Sequence, residues 1–203
     1  MKITGLIVSS GHTNVKGKDV GASSKDGKYV EGFLTVEAKN ILAKHFKEAC
    51  QKEGLDYSKY LLLDRDDTAL AETMSFLKGR TKPTDVLIDI HFNAANGVAK
   101  GTEVLVPNGA SVEELEIADR ISDIFGNILG TPERGVIKQY DGVKAEADSN
   151  RGSLGWMRLT GINILIEVEF LDNKAAMAVY DSKKEECWKL VAYYITGLIK
   201  QSI

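Results

Sequence analysis

Short apolar runs rich in β-branched residues alternate with amphipathic segments along the whole sequence. The runs 2–9, 86–90 and 163–171 are too short for ordinary helices, and they predict buried strands. Over 34–51 the apolar residues recur at helical spacing, and Gly54 is a natural stop signal for that helix. Strand-like and helix-like segments in this order predict an α/β fold.

Two capping boxes mark the starts of further helices. Ser111 is followed three residues later by Glu114, which predicts a helix that ends near Leu129. Ser182 and Glu185 repeat the pattern, and they predict the start of the last helix of the chain.

The polar stretches 10–28 and 141–155 predict long loops. Long loops in compact domains are frequently functional, so these two are candidates for lining a site. Weaker patterns predict strands at 60–63 and 102–107, a weak strand at 135–140, and a short helix at 68–78.

The composition excludes several classes of protein. The 203 residues carry a formal net charge of −3, whereas a protein that binds nucleic acid by neutralising phosphates is basic. No apolar run reaches the roughly 18 residues of a membrane span, so we expect no membrane insertion. The segment 1–10 is too short and too polar for a secretory signal, which predicts a protein made in the cytoplasm. Cys50 and Cys187 predict inert buried thiols rather than a disulfide framework.

Two of the three histidines follow predicted strands. His12 comes just after the first strand, and His91 comes just after the strand 86–90. Sites in open α/β sheets form outside the carboxyl ends of the strands, so both residues are candidates for chemistry. His45 lies inside the predicted helix 34–51, and we expect it to serve packing or the surface.

Two imidazoles and one carboxylate are a common set of ligands for catalytic zinc. Glu31 and Glu37 both lie between the first long loop and the helix that follows it. The end of a loop lets a side chain turn into a site, so Glu31 is favoured. Glu37 remains the alternative.

The strand 163–171 contains two carboxylates in an otherwise apolar sequence. Side chains alternate along a strand, so Glu167 and Glu169 are expected to share one face. Carboxylates are rarely buried unless they are paired or functional, so one of these two is a candidate general base. If Glu169 lies close to Glu167, like-charge proximity would raise the pKa of one of the pair. The alternative is that this face is exposed at a sheet edge.

The ordered set of these residues resembles the zinc-dependent N-acetylmuramoyl-L-alanine amidases of type 3, a family of bacterial cell-wall amidases and phage endolysin domains. The resemblance covers almost the whole chain. It rests on Ser10-Gly-His12, Gly21-Ala22, Glu31, Ile90-His91-Phe-Asn-Ala94, Gly101-Thr-Glu-Val104, Arg134-Gly-Val-Ile-Lys138 and Leu165-Ile-Glu167-Val-Glu-Phe-Leu-Asp-Asn173.

The resemblance implies a single amidase catalytic domain over 1–203, without a separate cell-wall-binding domain. The implied fold is an α/β domain of the phosphorylase/hydrolase-like type, with a twisted, mostly parallel sheet flanked by helices.

The resemblance also implies the site residues. One Zn²⁺ per chain would be held by His12, Glu31 and His91, and Glu167 would be the catalytic base. The further candidates for binding substrate are Asn93, Arg134 and Glu169.

Three positions depart from the family pattern. Glu169 stands where relatives carry a non-acidic residue, and Val20 stands where they often have proline. The stretch 140–150 resembles an insertion.

The implied reaction is hydrolysis of the amide bond between N-acetylmuramic acid and L-alanine in peptidoglycan. The lack of a signal favours a phage or prophage lysis enzyme, which acts on the wall after release and relies on a holin for access. Two alternatives remain. A zinc peptidase of the stem peptide could use Arg134 or Arg151 to bind a terminal carboxylate. A non-catalytic peptidoglycan-binding module would not need the base or the metal ligands.

Overall fold

The computed structural model of the chain describes residues 1–149 and 151–203. Six strands form one sheet in the order β2-β1-β3-β6-β4-β5. Strands β2, β1, β3 and β6 are parallel, and β4 pairs antiparallel with β6 and parallel with β5. The strands are β1 (Gly5–Ser9), β2 (Leu61–Leu63), β3 (Asp85–Asn93), β4 (Glu103–Val106), β5 (Val143–Ala145) and β6 (Ile162–Phe170).

Three long helices cover one face of this sheet. They pack on alternate residues of the central strands, such as Ile88 in β3 and Ile164 in β6, and form the main apolar core. Among the described residues, no helix combines the length and apolar character that a membrane crossing requires. The helices are α1 (Glu31–Lys52), α2 (Leu70–Leu77), α3 (Val112–Leu129) and α4 (Lys174–Lys200), of which α2 lies apart from the main core. This architecture confirms the predicted α/β class and the mostly parallel sheet.

The opposite face of the sheet carries a smaller apolar cluster. Ile7, Leu87 and Leu165 of the central strands pack there against Leu77 of α2 and Trp156. This cluster leaves the carboxyl ends of β1, β3 and β6 open on that face, and the candidate site lies there.

Helix α4 begins about two turns before the predicted start. Asn173 caps it by accepting hydrogen bonds from the backbone amides of Ala175 and Ala176, each at 3.1 Å. The predicted start near Ser182 is therefore wrong, because the Ser182–Glu185 pattern lies inside a helix that is already capped. The capping box of Ser111 is present as predicted.

The weak strand predicted at 135–140 is also wrong. This segment turns back on itself, with the amides of Val136 and Ile137 bonded to the carbonyl of Val143. The strand of this region is β5, which lies within the stretch 141–155 predicted as loop and pairs with β4. The resemblance to an insertion extends to Asn150, which lies outside the described residues.

Candidate functional site

A cleft of about 630 Å³ opens at the carboxyl ends of the central strands. It lies on the sheet face that carries the smaller apolar cluster. Its lining residues come from strands, loops and the start of α1, and include Glu31, His91, Asn93, Glu103, Arg134 and Glu167.

Two histidines and one glutamate converge beside this cleft. The carboxylate Oε1 of Glu31 lies 3.1 Å from Nδ1 of His91 and 3.5 Å from Nε2 of His12. The two imidazole rings are 5.1 Å apart at their centroids and nearly perpendicular. All three donor atoms lie within 4.8 Å of one another. The three residues singled out in the sequence therefore form one cluster.

Glu31 is the first residue of α1, so the helix begins earlier than predicted. Its Oε2 accepts a hydrogen bond from the amide of Ala22, and its Oε1 accepts one from the amide of Phe92. Gly32 lets the helix start lie against the loop of His12, since a Cβ there would collide with the carbonyl of Thr13. These contacts fix the carboxylate between the two histidines.

The alternative ligand Glu37 and the third histidine, His45, both lie outside the cluster. Glu37 is exposed and pairs with Lys184 of α4 at 2.8 Å, so this alternative to Glu31 does not reach the cleft. His45 joins α1 to α4 through Glu185, with a distance of 2.6 Å between Nε2 and the carboxylate. The expected packing role of His45 agrees with this position.

The cluster concentrates opposite charges in a confined space. Burial would lower the pKa of His91, but the carboxylates of Asp89, Glu31 and Glu167 outweigh it and raise that pKa well above its ordinary value. Burial would raise the pKa of Glu31, but His91 and His12 outweigh it and lower that pKa. The donor atoms are therefore placed where a cation is strongly favoured.

The chemistry of the donor set suits Zn²⁺. Two imidazole nitrogens and one carboxylate oxygen are typical ligands of a catalytic zinc that keeps a further position open. The three donor atoms lie within 4.8 Å of one another, which is close enough for them to share one ion. His12, Glu31 and His91 could together hold the ion.

Glu167 lies next to this cluster on the neighbouring strand. It pairs in register with His91 of β3 on one side and with Glu103 of β4 on the other. Burial raises the pKa of Glu167 to about 7, and the carboxylates of Glu31 and Glu103 add to the rise while His91 opposes it. Its Oε2 is buried without a hydrogen-bond partner among the described residues. Such a carboxyl group is suited to exchanging a proton with a ligand in the cleft.

Glu169 does not share the face of Glu167. His91 pairs with Glu167 and Asn93 with Phe170, so β6 contains one extra residue, a β-bulge, between these pairs. After the bulge Phe170, rather than Glu169, lines the cleft. The fully buried Glu169 instead accepts hydrogen bonds from the amides of Gly101 (2.6 Å) and Phe170 (2.9 Å).

Two predictions about Glu169 are therefore corrected. The shared face is wrong, because the prediction assumed uninterrupted alternation along the strand. The carboxylates that raise the pKa of Glu167 are Glu31 and Glu103 rather than Glu169. The structure does not bring Glu169 to the cleft as a residue that could touch substrate.

Asn93 and Arg134 both line the cleft, as expected for substrate-binding candidates. Nδ2 of Asn93 is buried and has no hydrogen-bond partner among the described residues. Arg134 donates to Glu103 at 2.6 Å and lies over the ring of Phe170, 5.0 Å from its centroid. The side chain of Arg134 is thus held in place at the rim.

The cleft also contains residues that the sequence reasoning did not single out as candidates, among them Asp89, Glu103, Lys144 and Trp156. Asp89 could have been found, because it lies two positions before His91 and alternation predicts a shared face. Glu103 lies in one of the motifs that carry the family resemblance but was given no role there. Lys144 of β5 and Trp156, which lies before β6, gave no local signal of a place in the cleft.

The fold and the cluster place the protein among α/β enzymes that carry acid–base groups at the carboxyl edge of the sheet. The sequence profile of the N-acetylmuramoyl-L-alanine amidase family, Amidase_3, matches residues 6–199, and the chain belongs to this family. Family membership supports an amidase activity on peptidoglycan. No curated protein sequence matches the chain significantly.

Several solved structures share the fold. The catalytic domain of the CD27L endolysin, which targets Clostridia Difficile, is 25% identical, with coverage of 97% of this chain and 96% of that chain and a TM-score of 0.62. A candidate N-acetylmuramoyl-L-alanine amidase from Neisseria meningitidis is 22% identical, with coverage of 93% and 92% and a TM-score of 0.67. The CwlD amidase from Clostridioides difficile, in complex with the GerS lipoprotein, is 19% identical, with coverage of 98% of both chains and a TM-score of 0.66.

Proposed function

We propose that the protein hydrolyses the amide bond between N-acetylmuramic acid and L-alanine, with one Zn²⁺ held by His12, Glu31 and His91. The observation that carries this proposal is the convergence of three zinc-type donors within 4.8 Å of one another beside Glu167. The family of the chain supplies the substrate class.

When bound, zinc supplies a Lewis acid that polarises the amide carbonyl and makes water more acidic. The residues of the chain do the rest. His12, Glu31 and His91 hold the ion, and the amides of Ala22 and Phe92 keep the Glu31 carboxylate in position.

Glu167 is the general base of the proposed reaction. Its carboxylate takes the proton of the attacking water and returns it to the nitrogen of the leaving L-alanine, so that proton transfer is balanced over the cycle. Two observations support this role: the register pairing with His91 and the buried Oε2 without a partner among the described residues. A carboxylate held by backbone amides would be less free to exchange a proton.

Asn93 and Arg134 are proposed to bind the substrate. Nδ2 of Asn93 has no hydrogen-bond partner in the part of the chain that the structure describes, which suits it to donate to a carbonyl oxygen of the glycan or the peptide. Arg134 is oriented by Glu103 and suits a carboxylate or carbonyl of the stem peptide.

Mass spectrometry of purified peptidoglycan after digestion tests which bond the protein cleaves. We expect new L-alanine amino termini and no new reducing sugar ends, and the Glu167→Gln variant is the matched control. New reducing ends would identify a glycosidase instead. New D-amino-acid or diaminopimelate amino termini would identify a peptidase of the stem peptide, and an intact wall would identify a binding module.

The experiment that tests the metal is elemental analysis combined with chelation. We expect one zinc per chain, and loss of activity on chelation with recovery when zinc is restored. The circular dichroism spectrum should change little on chelation, because the large apolar core does not depend on the site. Full activity in zinc-free protein would contradict the proposal.

A role in phage or prophage lysis, with a holin for access to the wall, stays a prediction. The likeness to an endolysin catalytic domain favours it. Cells that produce the protein in the cytoplasm should lyse only when a holin is produced as well. Lysis without a holin would contradict this role while leaving the amidase activity unaffected.

A further inference from the structure

Asp89 is a buried acid that the proposed reaction has not used. It lies on β3 two residues before His91, and alternation along the strand places both side chains on the cleft face of the sheet. Asp89 is only 1% exposed, and Leu87 on the same face belongs to the smaller apolar cluster. A carboxylate in such surroundings costs free energy unless a partner compensates for it.

The partner of Asp89 is His91. Oδ2 of Asp89 accepts a hydrogen bond from Nε2 of His91 at 3.0 Å, while Nδ1 of the same ring faces Glu31. Gly11, at φ 57°, packs directly against the ring of His91, and a Cβ on Gly11 would lie only 2.5 Å from Nε2 of that ring. The ring is therefore clamped with one nitrogen on Asp89 and the other in the donor cluster.

We propose that Asp89 is a positioning residue for the metal site: its carboxylate keeps the proton on Nε2 of His91 and directs the Nδ1 lone pair into the cluster. A carboxylate behind a ligating imidazole fixes the tautomer and makes the ligand more basic. This inference rests on the proposed zinc function.

His12 provides an internal comparison. The carboxylate of Asp19 lies 3.3 Å from Nδ1 of His12, but its side chain is 67% exposed and Nδ1 has no hydrogen-bond partner among the described residues. Water competes for an exposed carboxylate, so Asp19 contributes little to the orientation of His12. The ring of His91 is therefore oriented by a buried carboxylate behind it, whereas the ring of His12 is not.

The test is the zinc affinity of the full chain, measured by competition with a chelator of known affinity. We expect Asp89→Ala to bind zinc about 10- to 100-fold more weakly than the wild type. Asp89→Asn keeps an acceptor oxygen without the charge, so its affinity should lie between the two. Asp19→Asn, the matched control, should change the affinity by less than about threefold, as expected of an exposed charge.

Nuclear magnetic resonance of the zinc-loaded protein gives a second measurement. If Asp89 only stabilised the fold, its substitution would leave the ring-proton signal of His91 unchanged. In the wild type the ring proton of His91 should lie on Nε2 and exchange slowly with water, and in Asp89→Ala that signal should broaden or disappear. The thermal unfolding of the metal-free variants checks their fold, and the nearly isosteric Asp89→Asn keeps the test decisive if Asp89→Ala fails to fold.

The outcomes separate the two proposals. Wild-type zinc affinity and an unchanged His91 signal in both Asp89 variants would overturn the role of Asp89 and leave the zinc site intact. A wild type that binds no zinc would overturn the proposed metal site, and the inference about Asp89 with it.

Discussion

The two acidic residues of β6 lie before and within the bulge that interrupts its pairing with β3. Glu167 precedes the bulge, lines the cleft and receives no hydrogen bond from the described residues on its buried Oε2. Glu169 lies within the bulge, is fully buried, and accepts two backbone hydrogen bonds on Oε1. Its Oε2, like that of Glu167, has no hydrogen-bond partner among the described residues. The two residues are of the same type, but Glu167 is partly exposed to the cleft whereas Glu169 is fully buried. Exposure and backbone hydrogen bonds together separate a group free to react from one that holds the chain in place.

Loss of a cluster histidine should have the largest effect. We expect His91→Ala to lose bound zinc and essentially all activity on peptidoglycan, because a donor of the cluster and the anchor of Asp89 are both removed. Zinc content and the rate of wall solubilisation are the measurements. Full zinc content together with full activity would show that His91 is not a zinc ligand and that the site is assigned to the wrong residues.

Loss of the free carboxylate should come next. Glu167→Gln keeps the size of the side chain but removes the proton acceptor, so we expect activity to fall by about 10² to 10⁴. Zinc content should remain that of the wild type. Thermal stability should not fall, since Glu31 and Glu103 lose a like-charged neighbour. A large loss of stability would indicate that Glu167, like Glu169, holds the fold together.

The bonded carboxylate should affect stability rather than chemistry. Glu169→Ala leaves the amides of Gly101 and Phe170 without their acceptor, which should lower the free energy of unfolding by about 1–3 kcal/mol. Denaturant unfolding measures this loss. Zinc content should stay unchanged, and activity below the unfolding temperature should fall less than about tenfold, equivalent to about 1.4 kcal/mol in the barrier.

The smallest effect on activity is expected at the histidine outside the cluster. His45→Ala removes a contact between α1 and α4 that is partly open to solvent at Glu185, so activity and zinc content should match the wild type. The same peptidoglycan assay checks this. A loss of activity comparable to that of His91→Ala would mean that the His91 effect reflects damage to the fold rather than loss of a zinc ligand.

The sequence predicted the cluster for a physical reason. His12 follows β1 and His91 lies near the end of β3, and these neighbouring parallel strands end at the same edge of the sheet, so position along the chain translates directly into position in space. His91 in fact lies within β3 rather than after it, which leaves that argument unchanged.

The bulge in β6 could not be predicted in this way. Its location depends on the partner strand and on the amide of Gly101, which bonds to Glu169 from 68 positions away. Both Asn173 and the Ser182–Glu185 pattern could begin α4. Asn173 is the cap because the first turns of the helix, with Met177 and Tyr180, pack in the main core. Long-range contacts thus decided the features that local patterns left open.

The most direct test of the account compares Glu167→Gln and Glu169→Gln in one experiment. Initial rates of peptidoglycan solubilisation are measured at matched zinc content, well below the unfolding temperature of either variant. We expect Glu167→Gln to be slower than Glu169→Gln by at least about 10², because only Glu167 takes the proton of the attacking water. An inactive Glu169→Gln beside an active Glu167→Gln would contradict the account and make Glu169 the base.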